Sequence, residues 1–427
     1  MGHEQSFLTG TSVFRRRESE VRSYSRRYDA VFERAAGSLV WDTDGREWID
    51  FLAGAGSLNY GHNDPDMADA LVAHIRGGGI AHGLDLFTGA KREFLDTLER
   101  LVLLPRGLDH KVQFTGPTGT NAVEAALKIA RKVTGRRNVV AFTNAFHGVS
   151  QGALAATGNG HHRMGGALSL PDVTRLPYDG YAAGLDTAEL LDQLLSDPSS
   201  GIDPPAAVLL ETVQGEGGLN VASSTWLRRV AEIAARHGAL LAVDDVQAGC
   251  GRTGTFFSFE GSGIVPDLVA LSKSISGFGL PMALLLLRPQ WDAWTPGEHN
   301  GTFRGNAHAF VTARVALEKF WSDDRLMRDV AHRGALLDER LSRMAALVPG
   351  ARVKGRGMML GLDVRDAQVA EAICGRATEA GLIIESCGPR DEIVKVLAPL
   401  TTPETLLERG LDIVEEAVVA GREPVAV

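Results

Sequence analysis

Residues 268–287 read LVALSKSISGFGLPMALLLL, two apolar runs that flank a lysine, two glycines and a proline. Short apolar runs bounded by loop residues of this kind are typical of strands buried within a sheet. Lys273 lies where the first run ends. A lysine in a loop is usually an ordinary surface residue, but burial at a strand end lowers its pKa and makes its amine a nucleophile that can form an imine. Taken alone, the stretch leaves both interpretations of Lys273 open.

Similar apolar runs recur along the chain and alternate with segments of helical periodicity. The runs are KVQF (111–114), NVVAF (138–142), AAVLL (206–210) and ALLAV (239–243). Between them, residues 120–133 and 224–238 carry apolar side chains every three to four positions, as amphipathic helices do. Uninterrupted apolar strands that alternate with such helices predict an α/β fold, with a mainly parallel sheet covered by helices on both faces.

The alternation extends over residues 66–310 and predicts a large α/β domain there. Upstream, GSLVWDTDGREWIDF (37–51) contains two β-prone runs around an Asp-Gly turn, the pattern of a β-hairpin. Downstream, helical and strand-like segments indicate a smaller α+β unit. We therefore predict an N-terminal arm with the hairpin (1–65, part of the small domain), a large domain (66–310) and a C-terminal small α+β domain (311–427).

The composition argues against several classes of partner. The chain has 427 residues and a net charge of −9, whereas nucleic-acid binding needs a basic surface that neutralises phosphates. The run MALLLL is far shorter than the roughly 20 residues of a membrane span. Three cysteines make no disulfide framework, and MGHEQSF lacks the features of a signal peptide. We predict a cytoplasmic protein that binds no nucleic acid, membrane or metal.

Polar side chains follow five of the predicted strands. The carboxyl ends of parallel strands meet at one edge of a sheet, so these five clusters are expected to converge on one crevice. The clusters are TGPTGT (115–120), TNAFHG (143–148), ETVQGEGG (211–218), DDVQ (244–247) and SKS (272–274). Their shared position after the strands is a stronger signal of a binding site than any one cluster.

Several of these clusters carry groups that one cofactor would use. Gly119 and Thr120 begin a helix and offer N–H groups and a hydroxyl to a phosphate, although Thr118 or Thr120 could serve only as a helix cap. One carboxylate of DDVQ could hold a ring nitrogen protonated, although it could also serve only as a helix cap or in a surface ion pair. Phe146 offers a flat face. With the amine of Lys273, these groups match the needs of pyridoxal phosphate.

The same clusters resemble a known family in their order along the chain. The sequence is similar to class-III aminotransferases of fold type I, which depend on pyridoxal phosphate, over nearly its whole length. The resemblance implies a seven-stranded, mainly parallel sheet in the large domain and a small α+β domain built from the N-terminal arm and the C-terminal segment. The segments that carry it are GPTGTNAVEAALKIAR, NAFHG, ETVQGEGG, VDDVQAGCGRTG, LSKSISG and GEHNGTFRGN.

The resemblance implies a role for each residue of the cofactor site. Lys273 would bind the cofactor covalently and then move the substrate proton, and Asp244 would pair with the pyridinium nitrogen. Thr302 would reach the phosphate from the neighbouring subunit, which implies a homodimer with shared active sites that could pair into a tetramer. The full set of implied cofactor contacts is Gly119, Thr120, Phe146, Asp244, Gln247, Lys273 and Thr302.

The implied substrate contacts include one departure from the family pattern. Glu216 matches the glutamate that pairs with a basic residue and controls recognition of two different substrates. The family usually has an arginine where IVKVLAPL places Lys395, and a lysine attracts a carboxylate as a point charge without a planar fork. Lys395 or Arg26 is therefore the candidate for binding the α-carboxylate of glutamate.

Three further polar positions receive structural interpretations. Glu211 ends its strand and is interpreted as a supporting residue. His147 is interpreted as loop packing beside Phe146. The pair His161–His162 is interpreted as part of a polar loop, because no third metal ligand is nearby in the sequence.

Within the family, four segments resemble most closely the diaminobutyrate–2-oxoglutarate transaminase branch, which serves ectoine synthesis: ESEVRSYSR, AGAGSLNYGHN, KVQFTGPTGTNAVEAALK and SKSISGFGLPMAL. The resemblance implies an ω-aminotransferase that takes nitrogen from L-glutamate and passes it to L-aspartate 4-semialdehyde, giving 2-oxoglutarate and L-2,4-diaminobutyrate in a ping-pong reaction. Alternatives are ornithine, 4-aminobutyrate or another ω-amine as substrate, or diaminobutyrate made for siderophores or antibiotics. A non-catalytic, cofactor-binding regulator is a different class, but the sequence has no evident DNA-binding extension.

Overall fold

The computed structural model describes residues 10–164 and 169–421, so the segment MGHEQSF lies outside the described residues. The described residues contain seventeen strands. In chain order they are β1 Phe32–Ala36, β2 Leu39–Asp42, β3 Glu47–Asp50, β4 Lys111–Gly116, β5 Val139–Phe142, β6 Val173–Leu176, β7 Ala207–Leu210, β8 Val213–Gln214, β9 Asn220–Val221, β10 Leu240–Asp244, β11 Leu268–Leu271, β12 Ala283–Leu287, β13 Arg352–Arg356, β14 Met359–Asp363, β15 Leu382–Ile383, β16 Glu385–Cys387 and β17 Ile393–Val396.

The same residues form thirteen α-helices. They are α1 Ser12–Arg17, α2 Ala53–Gly56, α3 Pro65–Arg76, α4 Gly89–Leu98, α5 Gly119–Thr134, α6 Gln151–Ala156, α7 Gly160–Met164, α8 Thr187–Ser196, α9 Ser224–Arg236, α10 Ala307–Phe320, α11 Arg325–Leu347, α12 Ala367–Glu379 and α13 Glu404–Ala420. The short α2 differs from the others because Ala53 and Ala55 have positive φ values of 48° and 56°. No helix within the described ranges is long and apolar enough to cross a membrane.

The largest sheet has seven strands in the order β4-β12-β11-β10-β7-β5-β6. Six of them are parallel to one another, and β12 runs antiparallel to both of its neighbours. The runs quoted from the sequence form six of the seven strands. The seventh, β6, lies at an edge of the sheet and contains the polar Thr174 and Arg175, so it lacks the continuous apolar run that marks a central strand.

Both faces of this sheet are buried, which explains why β5, β7, β11 and β12 are apolar at every position. In β12, Leu284 and Leu286 belong to the core cluster that includes Phe310 of α10. Their neighbours Leu285 and Leu287 belong to the opposite cluster, which includes Val123 of α5. Alternate side chains of one strand thus pack against helices on opposite faces, as expected for a covered parallel sheet.

The N-terminal arm and the C-terminal segment meet in one of the smaller sheets. The predicted hairpin is formed by β2 and β3, and β15 pairs with β3 in parallel, with Leu382 opposite Ile49. A second small sheet has the order β13-β14-β17-β16. The arm thus pairs with the C-terminal segment, and the predicted boundaries near residues 65 and 310 stay a prediction.

Arg252 joins the arm, the large domain and the C-terminal segment through hydrogen bonds. Its fully buried guanidinium donates to the carbonyl oxygens of Met358 (3.2 Å) and Ala398 (2.5 Å) and to Asn59 Oδ1 (2.6 Å). Burial lowers the pKa of Arg252 to about 9. Because a buried charge is costly unless its hydrogen bonds are satisfied, these three acceptors must stay close to the guanidinium.

We predict that Arg252→Ala lowers the free energy of unfolding by at least about 3 kcal/mol, because three buried acceptors each lose a donor at a cost of about 1–3 kcal/mol. Urea unfolding followed by circular dichroism measures the change. Arg325→Ala is the control, since the Arg325 side chain is 76% exposed, and we expect a change within about 0.5 kcal/mol. Equal effects of the two substitutions would contradict the assignment of Arg252 as the junction.

Candidate active site

The carboxyl ends of the parallel strands surround a cavity of about 140 Å³. Seven of the ten residues predicted for the site line it: Gly119, Thr120, Phe146, Glu216, Asp244, Gln247 and Lys273. The cavity is also lined by His147, Gly148, Glu211, Val213, Val246 and Ala248. The cavity therefore lies where the polar clusters that follow the predicted strands were expected to converge.

One wall of the cavity is the N-terminus of α5, where Gly119 and Thr120 lie. Thr120 Oγ1 hydrogen-bonds with Ser150 Oγ at 2.6 Å, and Ser150 Oγ donates to Glu124 Oε1 at 2.7 Å. Gly148 has a φ of +126°, and a Cβ at this position would lie 2.4 Å from Thr120 Oγ1. A glycine is required there to keep the space in front of the helix N-terminus, where an anion is stabilised by the N–H groups.

Asp244 lies at the end of β10 and is held by two hydrogen bonds. Its Oδ1 accepts from the backbone N–H of Val246 (3.1 Å), and its Oδ2 accepts from His147 Nδ1 (2.8 Å). Burial acts to lower the pKa of His147, but the hydrogen bond and charge of Asp244 and the charge of Glu211 outweigh it and raise the pKa. The interpretation of His147 as loop packing is wrong, because its buried ring fixes the orientation of the Asp244 carboxylate.

Glu211 supports the loop that carries Phe146. Its carboxylate accepts from the backbone N–H groups of Phe146 (3.1 Å) and Gly215 (3.2 Å). Burial raises the pKa of Glu211 to about 7. The Phe146 ring also meets the edge of His162, with centroids 5.1 Å apart. His162 belongs to α7, so a helix stands where the sequence indicated a polar loop.

Lys273 follows β11 in a strained backbone conformation, with a φ of +53°. The two flanking serines fix the turn: Ser272 Oγ donates to the carbonyl of Met282 (2.9 Å), and Ser274 Oγ donates to that of Gly56 (2.8 Å). Burial lowers the pKa of Lys273, opposed by the charges of Glu216 and Asp244. A lowered amine pKa is what a nucleophilic lysine needs. Lys273 lines the cavity, so its interpretation as an ordinary surface lysine is wrong.

Lys395 lies between two carboxylates at the border of the cavity. Its fully buried Nζ is 2.9 Å from Glu216 Oε1 and 2.7 Å from Glu385 Oε1. Gln247 Nε2 donates to the same Glu216 oxygen at 3.1 Å. Burial acts to raise the pKa of Glu216, but the charges of Lys395 and Lys273 lower it to about 2. Sequence reasoning predicted the pair of Glu216 and Lys395 but missed Glu385.

The two remaining predicted residues lie outside this cavity. The Arg26 guanidinium pairs with Glu20 and lines a second cavity of about 540 Å³, together with Tyr24 and Glu385. Thr302 is exposed and begins the turn Thr302–Gly305. Their predicted roles stay predictions.

Family membership follows from a comparison with known proteins. Residues 22–418 match the family model described as Aminotransferase class-III. The chain belongs to the class-III aminotransferase family. It is a pyridoxal-phosphate-dependent enzyme that acts on small amino and oxo acids, and the predicted fold type I is confirmed.

Curated relatives share more than half of their residues with this aminotransferase. It is 55% identical over 411 residues to the diaminobutyrate–2-oxoglutarate transaminase of Vibrio cholerae, covering 95% of this chain and 99% of the relative. It is 52% identical over 411 residues to the transaminase of the same name from Halomonas elongata, covering 95% and 98%. An uncharacterised aminotransferase of Sinorhizobium fredii is 56% identical over 412 residues, covering 96% and 92%.

Solved structures of other aminotransferases share the fold. The ornithine aminotransferase of Toxoplasma gondii has a TM-score of 0.82 at 25% identity, covering 96% of this chain and 94% of the other. The N-acetylornithine aminotransferase of Stenotrophomonas maltophilia has a TM-score of 0.73 at 29% identity, covering 93% and 98%.

The side chains of the cavity fit pyridoxal phosphate. The α5 N-terminus provides an anion site, Asp244 a carboxylate and Lys273 a partly buried amine. Gln247 Oε1 is buried and accepts no hydrogen bond from the described residues, and the phenolic group of the cofactor can supply a donor. The chemistry of these groups therefore matches each functional group of the cofactor.

We predict that His147→Gln reduces stability more at pH 6 than at pH 9. Because the folded-state pKa of His147 is raised above the ordinary value of 6.5, its stabilisation is complete below about pH 6.5 and disappears as the pH rises through the folded-state pKa. Urea unfolding at both pH values measures the difference from wild type. His161→Gln, on the exposed side of α7, is the control, and a pH-independent difference for His147→Gln would contradict the prediction.

Proposed function

We propose that this enzyme transfers the amino group of L-glutamate to L-aspartate 4-semialdehyde, giving 2-oxoglutarate and L-2,4-diaminobutyrate. The observation that carries the proposal is the 55% identity to a diaminobutyrate–2-oxoglutarate transaminase over 95% of this chain. The paired Glu216 and Lys395 at the border of the cavity support it, because an enzyme with two unlike substrates needs a charge arrangement that can change between them.

The proposed roles of the cavity residues follow from their contacts. When bound, pyridoxal phosphate supplies an electron-withdrawing ring that stabilises negative charge on the substrate carbon next to the nitrogen. Lys273 would hold the cofactor covalently and then carry the proton to and from that carbon. Asp244, oriented by His147 at 2.8 Å, would keep the ring nitrogen protonated. Gly119, Thr120 and Phe146 would hold the phosphate and the ring face.

Glu216 and Lys395 would distinguish the two substrates. When the semialdehyde is bound through its distal end, Lys395 would stay neutralised by its 2.9 Å ion pair with Glu216. When glutamate binds, its α-carboxylate would take the place of the Glu216 carboxylate beside Lys395. Arg26, which lines the second cavity, is the alternative partner for that carboxylate.

The proposal includes a homodimer with shared active sites. Thr302 is exposed and lies outside the cavity of its own chain, and the adjacent Phe303 is 68% exposed. Phe87 is also fully exposed, and apolar side chains in this state are typical of a protein interface. We propose that Thr302 completes the phosphate site of the partner subunit, and that the enzyme acts in the cytoplasm in ectoine synthesis.

We predict that the pyridoxal form of the enzyme reacts faster with L-2,4-diaminobutyrate than with ornithine or 4-aminobutyrate, by about tenfold or more in kcat/KM. Stopped-flow absorbance of the isolated half-reactions measures the three rates. Lys273→Ala serves as the inactive control, and Lys128→Ala, on the exposed side of α5, as the active one. Equal rates for the three amines would contradict the proposed substrate.

We predict that Thr302 acts on the partner's site, which subunit mixing can test. Co-expressed Thr302→Ala and Lys273→Ala subunits form mixed dimers in which one site carries both substitutions and the other neither. Their activity is therefore expected to approach half that of wild type, above that of either parent. If mixed dimers are no more active than the Thr302→Ala dimer, Thr302 does not complete the partner's site.

A further inference from the structure

The ammonium group of Lys395 is shared by two carboxyl groups, so the cluster of Glu216, Lys395 and Glu385 carries one excess negative charge when both are ionised. The Nζ is 2.9 Å from Glu216 and 2.7 Å from Glu385. An ion pair of Glu216 and Lys395 alone would be neutral. The second carboxylate is therefore unnecessary for neutralising Lys395 and gives the cluster an attraction for a cation.

Glu385 lines the second cavity and contacts Lys395 at the border of the first. It is directly opposite Lys395 in the pairing of β16 with β17, and it lines the 540 Å³ cavity with Tyr24. Its side chain is 13% exposed, whereas that of Lys395 is fully buried. Burial, with the charges of Glu385 and Glu216, raises the pKa of Tyr24 to about 12. Lys273 also feels the charge of Glu385, so the field of this carboxylate reaches the reacting amine.

Most of the other charged residues of the second cavity have ion-pair partners, and the remaining one, Asp391, is exposed to solvent. Arg26 pairs with Glu20, and Arg27 pairs with Glu371 at 2.8 Å. Glu385 differs from these acids because the lysine it contacts is also paired with Glu216. A cationic substrate group that reaches the second cavity would therefore be attracted most strongly by Glu385, which is less exposed to water than Asp391.

We infer that Glu385 binds the α-ammonium group of the substrate whose distal nitrogen is exchanged, and so selects an α-amino acid over a simple ω-amine. This inference rests on the proposed diaminobutyrate reaction. With the distal amine of diaminobutyrate at Lys273, the amino-acid head points toward the Glu216–Lys395–Glu385 cluster. The ammonium group of the head is then attracted by the excess carboxylate of this cluster.

Glu385 also affects the other substrate, in the opposite direction. The α-carboxylate of glutamate must compete for Lys395 with two protein carboxylates. Removing the charge of Glu385 would leave Lys395 with one competitor and strengthen its attraction for glutamate. A specificity role for Glu385 thus predicts opposite effects on the two half-reactions, which a purely structural role does not.

The test compares L-2,4-diaminobutyrate with 4-aminobutyrate, which differs from it only by lacking the α-ammonium group. Half-reactions of the holoenzyme with both amines and with L-glutamate are followed by stopped-flow absorbance. In Glu385→Gln, the kcat/KM ratio of diaminobutyrate to 4-aminobutyrate is expected to fall about tenfold or more, the effect of losing one hydrogen bond to a charged group. KM for glutamate is expected to stay unchanged or fall. Each ratio is measured within one preparation, so a partly inactive fraction cancels.

Two further variants complete the design. Glu371→Gln makes the same chemical change in another acid of the second cavity, one that does not contact Lys395, and is expected to keep the wild-type ratio. Glu385→Asp keeps the charge, so it is expected to retain the preference for diaminobutyrate while Glu385→Gln loses it. If Glu385→Gln is poorly expressed, the substrate ratio can still be measured for Glu385→Asp.

The outcomes separate the inference from the proposed function. If wild type prefers diaminobutyrate and Glu385→Gln keeps the ratio within twofold, Glu385 does not bind the α-ammonium group, and the proposed reaction still holds. If Glu385→Gln slows all three substrates equally, its role is structural and the inference is overturned. If wild type itself shows no preference for diaminobutyrate, the proposed substrate fails and the inference fails with it.

Discussion

The active site depends on one buried charge that holds three parts of the chain together. Arg252 donates to Asn59 of the arm and to the carbonyls of Met358 and Ala398 of the C-terminal segment. Glu216 follows a strand of the large domain, whereas Lys395 lies on β17 of the C-terminal segment. Their 2.9 Å contact is possible only while the two parts keep their relative position. Stability and the proposed substrate recognition by Glu216 and Lys395 are therefore linked through Arg252, although it lies outside the cavity.

Sequence patterns predicted the parts of the site that depend on local order. Apolar runs marked six strands of the main sheet, and a polar cluster after a parallel strand lies at the same edge as the others. This rule predicted that Lys273, Asp244 and Phe146 line one cavity, although the order of the strands in the sheet was not known. The edge strand β6 was missed, because its half-exposed residues lack the continuous apolar pattern of the central strands.

Contacts that depend on the pairing of distant residues could not be predicted in this way. His147 and Asp244 are 97 residues apart, and no periodicity indicates that their side chains meet. Glu385 contacts Lys395 because β16 and β17 pair in one register, and a shift of one residue would turn the carboxylate away. Family resemblance identified Glu216 and Lys395 as a pair but gave no reason to expect a second carboxylate.

The backbone at Lys273 has a consequence for any attempt to make this enzyme more robust. A φ of +53° is a conformation that a glycine adopts with little strain and a lysine does not. Random mutagenesis scored only by heat resistance would therefore tend to reward the loss of the reactive amine. Thermal stability and turnover favour different residues at position 273. Selection for a more stable enzyme must therefore include a measure of transamination from the first round.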